Sequence, residues 1–418
     1  MLEKISISGF KSIKSLRNFE LKPINILIGA NGAGKSNFID FFRMLRAMQE
    51  FSIAELKDNP SLSAYIEDKG GMTNLLFNGP RTQKISTELF FNNGQNGYRF
   101  DLDITSAAGF MINNEACFYK GAPNGQSWKI LGGGYARPRL LDERTPPKKN
   151  TNKKNKKNKN DNKQNQKQNR YDYIYETIKT WQIYHFHDTS RLSGVRMPCD
   201  ISDNRYFRFD ASNLAAFLYA LKEGDYGAEE TASELNDGSV QHQLEPNRTA
   251  QDSYEKIVES VKVIAPYFED FILVPPKAGK DNLIKLQWKQ KGSDINMQAY
   301  HLSDGTLRFI CLATALLQPD PPELLLIDEP ELGLHPEALT VLAEMINLSK
   351  ERTQILASTQ SPAFADLFKP EDIITVKRQD GATVFERLDA NALSAWINNF
   401  SIGQLWRKNV IKGGIVNE

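Results

Sequence analysis

Residues 24–45 read INILIGANGAGKSNFIDFFRML, and this stretch decides the fold class. Its first five residues are a short apolar run, which predicts a buried strand. From Lys35 onward, apolar residues recur at helical spacing, so the stretch predicts a strand, a tight turn and an amphipathic helix. Residues 29–36 in the turn match GxxxxGK[ST], the pattern of a loop that cradles phosphate groups.

A loop of this kind binds phosphate mainly through its backbone. Its glycines let several N–H groups face one point, and the following helix adds the positive end of its dipole. Lys35 is expected to reach the β and γ phosphates of a nucleotide, and the hydroxyl of Ser36 is expected to ligate Mg²⁺. The predicted nucleotide-binding residues of the loop are Gly29, Asn31, Gly32, Ala33, Gly34, Lys35, Ser36 and Asn37.

A second stretch, LLLIDEP at residues 324–330, predicts the other half of a nucleotide site. Four consecutive apolar residues suit a strand that is buried on both faces of a parallel sheet. Carboxylates at the end of such a strand lie at the edge of the sheet where α/β proteins bind ligands. Asp328 is therefore a candidate Mg²⁺ ligand, and Glu329 is a candidate general base for an attacking water.

Further motifs give the chain a resemblance to a known class. HLSDGT at 301–306 resembles the signature motif of ABC-type ATPases, with Asp304 where transporters usually have Gly. Together with FKSIKSL at 10–16, LLLIDEPELGLHP at 324–336 and ILASTQSP at 355–362, it makes the chain similar to SMC/RecF/OLD-like ABC ATPases. Within that class the chain looks like the stand-alone AAA-type ATPases of bacteria, several of which belong to anti-phage defence modules. The resemblance covers almost the whole chain.

This resemblance implies an α/β fold: an ABC-type P-loop ATPase head, with a mixed sheet, flanking helices and an inserted, mostly helical lobe. It also implies roles for residues outside the two stretches above. Lys11 and Ser12 would lie near the nucleotide phosphates. Residues 331–335, which begin with Glu331 and end with His335, would form a D-loop that crosses a dimer interface. Gln360 stands at the switch position, where ABC ATPases usually have a histidine that contacts the γ phosphate. The signature residues that would contact nucleotide bound to a second subunit are Ser303, Asp304 and Gly305.

The implied activity is Mg²⁺-dependent ATP hydrolysis at composite sites, with Lys35, Glu329 and Gln360 as the catalytic residues. The implied assembly is a homodimer, or a higher oligomer built on head-to-tail dimers. Two outputs stay open. In the first, the protein is a sensor or scaffold switch in anti-phage defence or DNA maintenance, and it holds a separate effector protein. In the second, it is a RecF-like DNA-binding ATPase that acts directly on DNA in repair.

The overall net charge of +1 conceals an uneven distribution of charge. Residues 148–170 contain nine Lys, one Arg and one Asp, a charge of +9, so the rest of the chain carries −8. The segment has no apolar side chain, which predicts disorder. It is either an arm that holds nucleic acid through a salt-dependent attraction or a solvated insertion without a partner.

The predicted organisation has four segments: 1–147 and 266–418 form the ATPase head, 148–170 is the insertion and 171–265 is the helical lobe. No apolar stretch is long enough to span a membrane, and the first residues lack the apolar core of a secretory signal. Three well-separated cysteines form no CxxC pair. We therefore expect a cytoplasmic protein without a membrane partner.

Periodicity adds several local predictions, and two further motifs have alternative explanations. HFHD at 185–188 is either a metal cluster or a packing contact beside the nucleotide, and packing is favoured because no other His or Cys lies nearby in sequence. Asp101 and Asp103 form a DxD pair, for which an exposed strand face is favoured over a nuclease metal site. The other local predictions are a hairpin within 86–104, helices at 171–183, 211–222, 254–268 and 306–318, and strands at 183–186, 271–274, 283–288 and 354–357.

Overall fold

The computed structural model describes residues 1–49, 61–105, 109–120, 128–143, 170–227, 229–234, 240–245, 247–276, 281–397 and 399–411. The strands are β1 (Leu2–Phe10), β2 (Ile13–Glu20), β3 (Ile24–Ile28), β4 (Lys84–Phe91), β5 (Asn96–Ile104), β6 (Phe110–Tyr119), β7 (Trp128–Gly132), β8 (Gln182–Tyr184), β9 (Cys199–Asp200), β10 (Glu229–Glu234), β11 (Val240–Glu245), β12 (Phe268–Ile272), β13 (Leu283–Ile284), β14 (Gln287–Gln290), β15 (Asn296–Gln298), β16 (Leu324–Asp328), β17 (Gln354–Thr359), β18 (Ile373–Gln379) and β19 (Ala382–Arg387). The helices are α1 (Lys35–Gln49), α2 (Leu62–Asp68), α3 (Arg170–Thr180), α4 (Leu214–Glu223), α5 (Arg248–Ile264), α6 (Asp304–Leu317), α7 (Pro336–Ser349), α8 (Pro362–Ala365), α9 (Ser394–Ile397) and α10 (Ile402–Arg407).

The chain forms two compact units. One contains Met1–Leu21 and Asp40–Trp181, and the other contains Lys22–Ile39 and Gln182–Glu418. These units do not follow the boundaries predicted at residues 148, 171 and 266, which remain predictions. The Lys-rich segment lies outside the described residues except for its last residue, which begins α3.

The first unit contains a six-stranded sheet in the order β2-β1-β4-β5-β6-β7, with every neighbouring pair antiparallel. Side chains alternate between buried and partly exposed along β4, as a sheet with one solvated face requires. The predicted hairpin within 86–104 is confirmed, because β4 pairs with β5 from Lys84 opposite Asp103 to Phe91 opposite Asn96. Asn92 and Asn93 of its turn adopt positive φ, which asparagine tolerates well.

Aromatic side chains fill much of the core of the first unit. The ring of Phe41 on α1 meets that of Phe10 edge to face at 5.3 Å. The ring of Phe42 lies 5.4 Å from that of Trp181, which is fully buried. Glu115 of β6 is also buried, and it accepts hydrogen bonds from the Tyr98 hydroxyl and from two backbone N–H groups.

The second unit contains a mixed sheet in the order β19-β18-β3-β17-β16-β8. Every neighbouring pair is parallel except β18 and β19, which form an antiparallel edge. All five residues of β3 are buried, as are the first four of β16, which explains why both strands read as continuous apolar runs. The predicted strands at 24–28 and 324–327 are confirmed, and β16 extends one residue further to Asp328.

The register of this sheet brings three strand ends together. Ile28 at the end of β3 lies opposite Thr359 at the end of β17. Asp328 at the end of β16 lies opposite Ser358, which is also in β17. Strand β17 therefore separates the strand that leads into the glycine-rich loop from the strand that ends in carboxylates, and all three end at one edge of the sheet.

Helices α4 to α7 pack with this sheet in one hydrophobic core. Two predicted helix boundaries are wrong, for local reasons. The helix predicted at 211–222 begins at Leu214, because Ala211 has a φ of +59° that no α-helix accepts. The helix predicted at 254–268 covers Arg248–Ile264, because the Asn247 side chain caps it by accepting from the backbone N–H of Ala250. Its predicted last residue, Phe268, instead begins β12.

Three further predictions agree with the structure to different degrees. The helix predicted at 306–318 spans Asp304–Leu317, and the strand predicted at 354–357 extends to Thr359. The strand predicted at 283–288 is divided between β13 and β14, which belong to different sheets. Within the described part of the chain, no helix combines the length and the apolar character needed to cross a membrane.

Candidate functional site

The glycine-rich loop follows β3 directly and ends at the first residue of α1. Gly32 and Gly34 have φ values of +78° and +110°, which residues with a side chain rarely adopt. Gly29 lies against β18, where a methyl group on it would come within 2.3 Å of the carbonyl oxygen of Val376. The Thr383 hydroxyl of β19 donates to the carbonyl oxygen of Ala33 at 2.9 Å. The loop is therefore held by the edge of the sheet as well as by its own glycines.

Lys35 is buried at the centre of this loop, with 6% of its surface exposed. Its Nζ donates to the carbonyl oxygen of Gly29 at 2.6 Å and to that of Ala30 at 3.2 Å. Burial lowers the pKa of Lys35, while the carboxylates of Glu329, Asp328 and Glu331 act in the opposite direction. The lysine and the carboxylates at the end of β16 thus form one electrostatic cluster. Asn31, Gly32 and Ser36 of the loop are exposed, so a ligand can reach them.

Asp328 is the last residue of β16, and both its side chain and its backbone carbonyl have polar contacts. Its Oδ1 accepts a hydrogen bond from the Ser358 hydroxyl of β17. Its carbonyl oxygen lies 3.0 Å from Nε2 of His187. The Ser358 hydroxyl thus orients the carboxylate, and the His187 contact holds the backbone at the end of the strand. A carboxylate and the exposed hydroxyl of Ser36 are oxygen donors that suit Mg²⁺.

Glu329 occupies a strained position at the turn after β16. Its φ is +49°, in the left-handed region that non-glycine residues seldom enter. Its backbone N–H donates to the carbonyl oxygen of Ser358 at 3.0 Å. Its Oε1 accepts a hydrogen bond from Nε2 of Gln360. The candidate general base and the residue at the switch position are therefore in direct contact.

A third carboxylate, Glu331, lies beside this pair. Its Oε1 accepts from the Thr359 hydroxyl at 2.6 Å and from the backbone N–H of Gln360 at 3.0 Å. Its Oε2 is buried and has no hydrogen-bond partner among the described residues. Burial raises the pKa of Glu331, and the charge of Glu329 raises it further. The family resemblance places Glu331 at the start of the predicted D-loop, but the sequence predicts no contact between its side chain and the end of β17.

The signature residues form the beginning of α6. The Ser303 side chain caps this helix, since its Oγ accepts from the backbone N–H of Thr306 at 3.1 Å. Asp304 is an exposed carboxylate that pairs with Nη2 of Arg196 at 2.7 Å. Gly305 packs on Gly333, where a methyl group on it would lie 2.4 Å from the Gly333 carbonyl oxygen.

Two arginines that the sequence analysis missed brace this region. Arg308 of α6 is buried, and its guanidinium donates to the backbone carbonyls of Phe186, His187 and Leu332. Arg196 donates to the carbonyls of Thr189, Ala299 and Leu302 as well as to Asp304. Arg308 is the one charged residue in the mostly apolar run LRFICLATALL, and this pattern is the signal that would have identified it.

The other predicted residues have local contacts. His335 is exposed and caps α7, with Nδ1 accepting from the backbone N–H of Glu337 at 3.4 Å. Lys11 and Ser12 form the turn between β1 and β2 in the first unit, where Nζ of Lys11 pairs with Asp40. Roles of these three residues toward a nucleotide remain predictions.

The two alternative metal motifs have other partners. His185 and His187 stack on each other at 4.1 Å, and His187 contacts the end of β16. Asp101 is buried rather than exposed, which corrects the prediction of an exposed face, and it accepts from Lys84 at 2.9 Å and from Asn114 at 2.7 Å. No group of three or more His, Cys, Asp or Glu side chains in the described ranges is arranged to hold a metal ion.

A family model described as "AAA domain, putative AbiEii toxin, Type IV TA system" matches residues 24–366. No curated protein matches the chain. An SMC head bound to the C-winged helix domain of ScpA is 15% identical, with a TM-score of 0.51, and the similarity covers 94% of this chain and 99% of that one. This similarity confirms the predicted α/β fold of an ABC-type P-loop ATPase head.

Two further solved structures are similar to the chain. The Smc head domain with an extended coiled coil, bound to the C-terminal domain of ScpA derived from Pyrococcus furiosus, is 15% identical with a TM-score of 0.49. That similarity covers 95% of this chain and 98% of the other. The SMC head domain from Thermotoga maritima is 11% identical with a TM-score of 0.45, and the similarity covers 93% and 99% of the two chains.

Proposed function

Because the chain belongs to the family of AAA domains whose model it matches, we propose that it binds and hydrolyses ATP in the presence of Mg²⁺. One observation carries this proposal. A buried lysine in a glycine-rich loop follows β3, and carboxylates stand at and after the end of β16 at the same edge of the sheet, with only β17 between the two strands. This arrangement supplies a phosphate cradle, a cationic group and oxygen ligands at one edge of a sheet.

In the proposed reaction, the backbone N–H groups at the start of α1 bind phosphate oxygens, and Lys35 exchanges its two carbonyl acceptors for phosphate oxygens. Ser36 and Asp328 would hold Mg²⁺, which offsets negative charge on the phosphates. Glu329 accepts a proton from, or orients, the attacking water. The side-chain amide of Gln360 holds the Glu329 carboxylate in place, and it does so without a charge of its own.

The proposed active assembly is a head-to-tail homodimer, or a higher oligomer built on such dimers. Ser303 presents a hydroxyl at the beginning of a helix, where phosphate oxygens bind well. Asp304 beside it is exposed. A second subunit could use these groups to complete a nucleotide site, and ATP would then close the dimer and hydrolysis would release it.

The proposed biological role is a nucleotide-driven sensor or scaffold switch that holds a separate effector protein, in anti-phage defence or DNA maintenance. The family description, which refers to a toxin of a toxin–antitoxin system, supports a defence role. The SMC head of similar fold is bound to a domain of another protein, ScpA, which supports a protein partner.

Residues 148–170 favour a second candidate, a RecF-like ATPase that acts directly on DNA, because nine lysines in one segment attract polyanions. The two candidates differ in their response to DNA. If DNA stimulates ATP turnover and deletion of 148–170 abolishes the stimulation, the second candidate is favoured. Turnover that is independent of DNA, together with a co-purifying effector, favours the first.

The test of the ATPase proposal is nucleotide binding and turnover by Lys35→Ala. Binding of a fluorescent ATP analogue should fall to background, and ATP hydrolysis should be lost. Lys256→Ala, which removes an exposed lysine from α5, should behave like the wild type. Wild-type ATP affinity in Lys35→Ala would contradict the assignment of the loop, and a wild type that releases no phosphate would contradict hydrolysis.

A further inference from the structure

We infer that Glu331 is a positioning residue of the candidate ATPase site: it fixes the end of β17 so that the side chain of Gln360 can hold Glu329. This inference rests on the proposed function for its catalytic meaning. Its structural content, a carboxylate that orders the switch position, is independent of that function.

One oxygen of Glu331 organises the turn that follows β17. Oε1 accepts from the Thr359 hydroxyl and from the backbone N–H of Gln360. The Thr359 oxygen in turn accepts from the backbone N–H of Ser361 at 2.9 Å. Three consecutive residues are therefore tied, directly or through one hydroxyl, to a single carboxylate oxygen.

Gln360 is consequently held at two points by one short segment of chain. Glu331 accepts from its backbone N–H, and Glu329 accepts from its side-chain amide. Between these two residues lies Pro330, whose ring fixes its own φ and so restricts the backbone that joins them. A glutamine fixed at both its backbone and its amide has little freedom to rotate away from Glu329.

Local stability does not account for a carboxylate at position 331. Its second oxygen is buried without a hydrogen-bond partner among the described residues, an arrangement that disfavours the charged form. Burial also raises the pKa of Glu331, which is the direction expected when the charged form is disfavoured. The contacts that do account for the residue are those of Oε1, and both of them lead to the switch position.

The experiment is a double-mutant cycle on steady-state ATP turnover. Glu331→Ala should lower kcat by about the same factor as Gln360→Ala, roughly tenfold, because it releases the same side chain. The double variant should be no slower than Gln360→Ala alone. Glu331→Gln should keep most of the rate, since its amide oxygen can still accept both hydrogen bonds. ATP affinity should not change in any of the four variants, and Glu344→Ala on the exposed face of α7 is the control.

Additive losses in the double variant would overturn the inference, because they would show that Glu331 acts independently of Gln360. A kcat of Glu331→Gln as low as that of Glu331→Ala would also overturn the inference. It would show that kcat depends on the negative charge of Glu331 rather than on its ability to accept hydrogen bonds. If Glu331→Ala does not fold, Thr359→Val replaces it in the cycle, since it removes one of the two donors at nearly constant volume.

A second measurement separates this inference from the proposed function. The backbone N–H of Gln360 should exchange with solvent faster in Glu331→Ala, while that of Glu329, which donates to Ser358, should be unchanged. If the wild type hydrolyses no ATP, the proposed function fails and the exchange result still decides whether Glu331 orders the switch position. Unchanged exchange at Gln360 would refute the positioning role even in an active enzyme.

Discussion

Gly305 and Gly333 lie so close together that a methyl group on Gly305 would sit 2.4 Å from the carbonyl oxygen of Gly333. The first glycine is the second residue of α6, and the second glycine belongs to the loop between β16 and α7. Arg308 spans the same gap by donating to the carbonyl of Leu332. The residues predicted to form the signature and those predicted to form the D-loop are therefore packed against each other, so we expect a change in one to displace the other.

Gly305→Ala tests this contact. The added methyl group should force the two segments apart and lower the free energy of unfolding by about 1–3 kcal/mol, the usual effect of overpacking. ATP turnover should fall with it, while ATP binding to the P-loop should persist. Urea unfolding and phosphate release measure the two effects, with Glu344→Ala as a surface control. A variant with wild-type stability and rate would show that the glycines are free to separate.

Glu329→Gln tests the proposed general base. The amide cannot accept a proton, so turnover should fall by about 100-fold or more, while ATP binding is retained. If the site is composite, this variant should accumulate as an ATP-bound dimer, which light scattering can detect. A variant that stays monomeric with ATP and Mg²⁺ would argue against the head-to-tail assembly, whereas wild-type turnover would remove Glu329 from the chemistry.

Gln360→Ala removes the donor to Glu329 and should lower kcat roughly tenfold, the effect of losing about 1.4 kcal/mol of interaction. Gln360→His restores a donor that titrates. Its pH–rate profile should therefore gain an inflection in the range where histidine changes charge, near pH 6.5, which glutamine cannot produce. An unchanged rate in Gln360→Ala would exclude the residue from the site.

Arg308→Met should destabilise the second unit. The substitution preserves much of the side-chain volume but leaves three backbone carbonyls without their donor. Because each buried unsatisfied acceptor costs about 1–3 kcal/mol, the free energy of unfolding should fall by at least about 2 kcal/mol. Arg308→Lys should rescue it only in part, since an ammonium lacks the planar fork. Arg191→Met, at an exposed position, is the control; equal stability of the two variants would contradict the bracing role.

Glu115 in the first unit gives a pH-dependent prediction. Burial raises the pKa of Glu115, against the effect of hydrogen bonds from Leu140, Arg139 and Tyr98. A carboxyl whose pKa is higher in the folded state contributes stability below its unfolded pKa and loses it as the pH rises through the folded value. The stability of the wild type relative to Glu115→Gln should therefore decrease as the pH rises above about 4.3. Urea midpoints at several pH values measure this decrease.

The matched control for that series is Glu67→Gln, at an exposed position of α2 in the same unit. This variant makes the same chemical change outside the buried environment of Glu115, so it isolates the effect of burial. A difference between the wild type and Glu115→Gln that stays flat, or increases, with rising pH would contradict a raised pKa at Glu115.

Features that depend on neighbouring residues in the chain could be predicted from the sequence. The strand at 24–28, the helix that begins after the glycines and the hairpin within 86–104 follow from local patterns, and the structure contains all three. The α/β fold class followed from the same patterns together with the family resemblance. Errors arose where one backbone angle or one cap decides the boundary, as at Ala211 and Asn247.

Contacts between distant parts of the chain could not be predicted in this way. The pair Gln360 and Glu329 depends on the register between β16 and β17, and sequence spacing does not contain that register. The D-loop pattern includes Glu331 but does not predict that its side chain accepts from Thr359, which is 28 residues away in sequence. For the candidate site, the sequence therefore indicated which residue types are present, and the structure adds which of them hold one another.

The two carbonyls that accept from Lys35 have a consequence for ligand selection. The ammonium group of Lys35 already donates to two loop carbonyls, so a phosphate-bearing ligand must compete with them. The free energy gained on binding is therefore the difference between two sets of hydrogen bonds. A single inorganic anion gains little from that exchange. A ligand with several linked phosphates can replace both carbonyls and also reach the start of α1. If the loop binds a nucleotide as proposed, it should therefore favour a polyphosphate chain over small anions that carry the same charge.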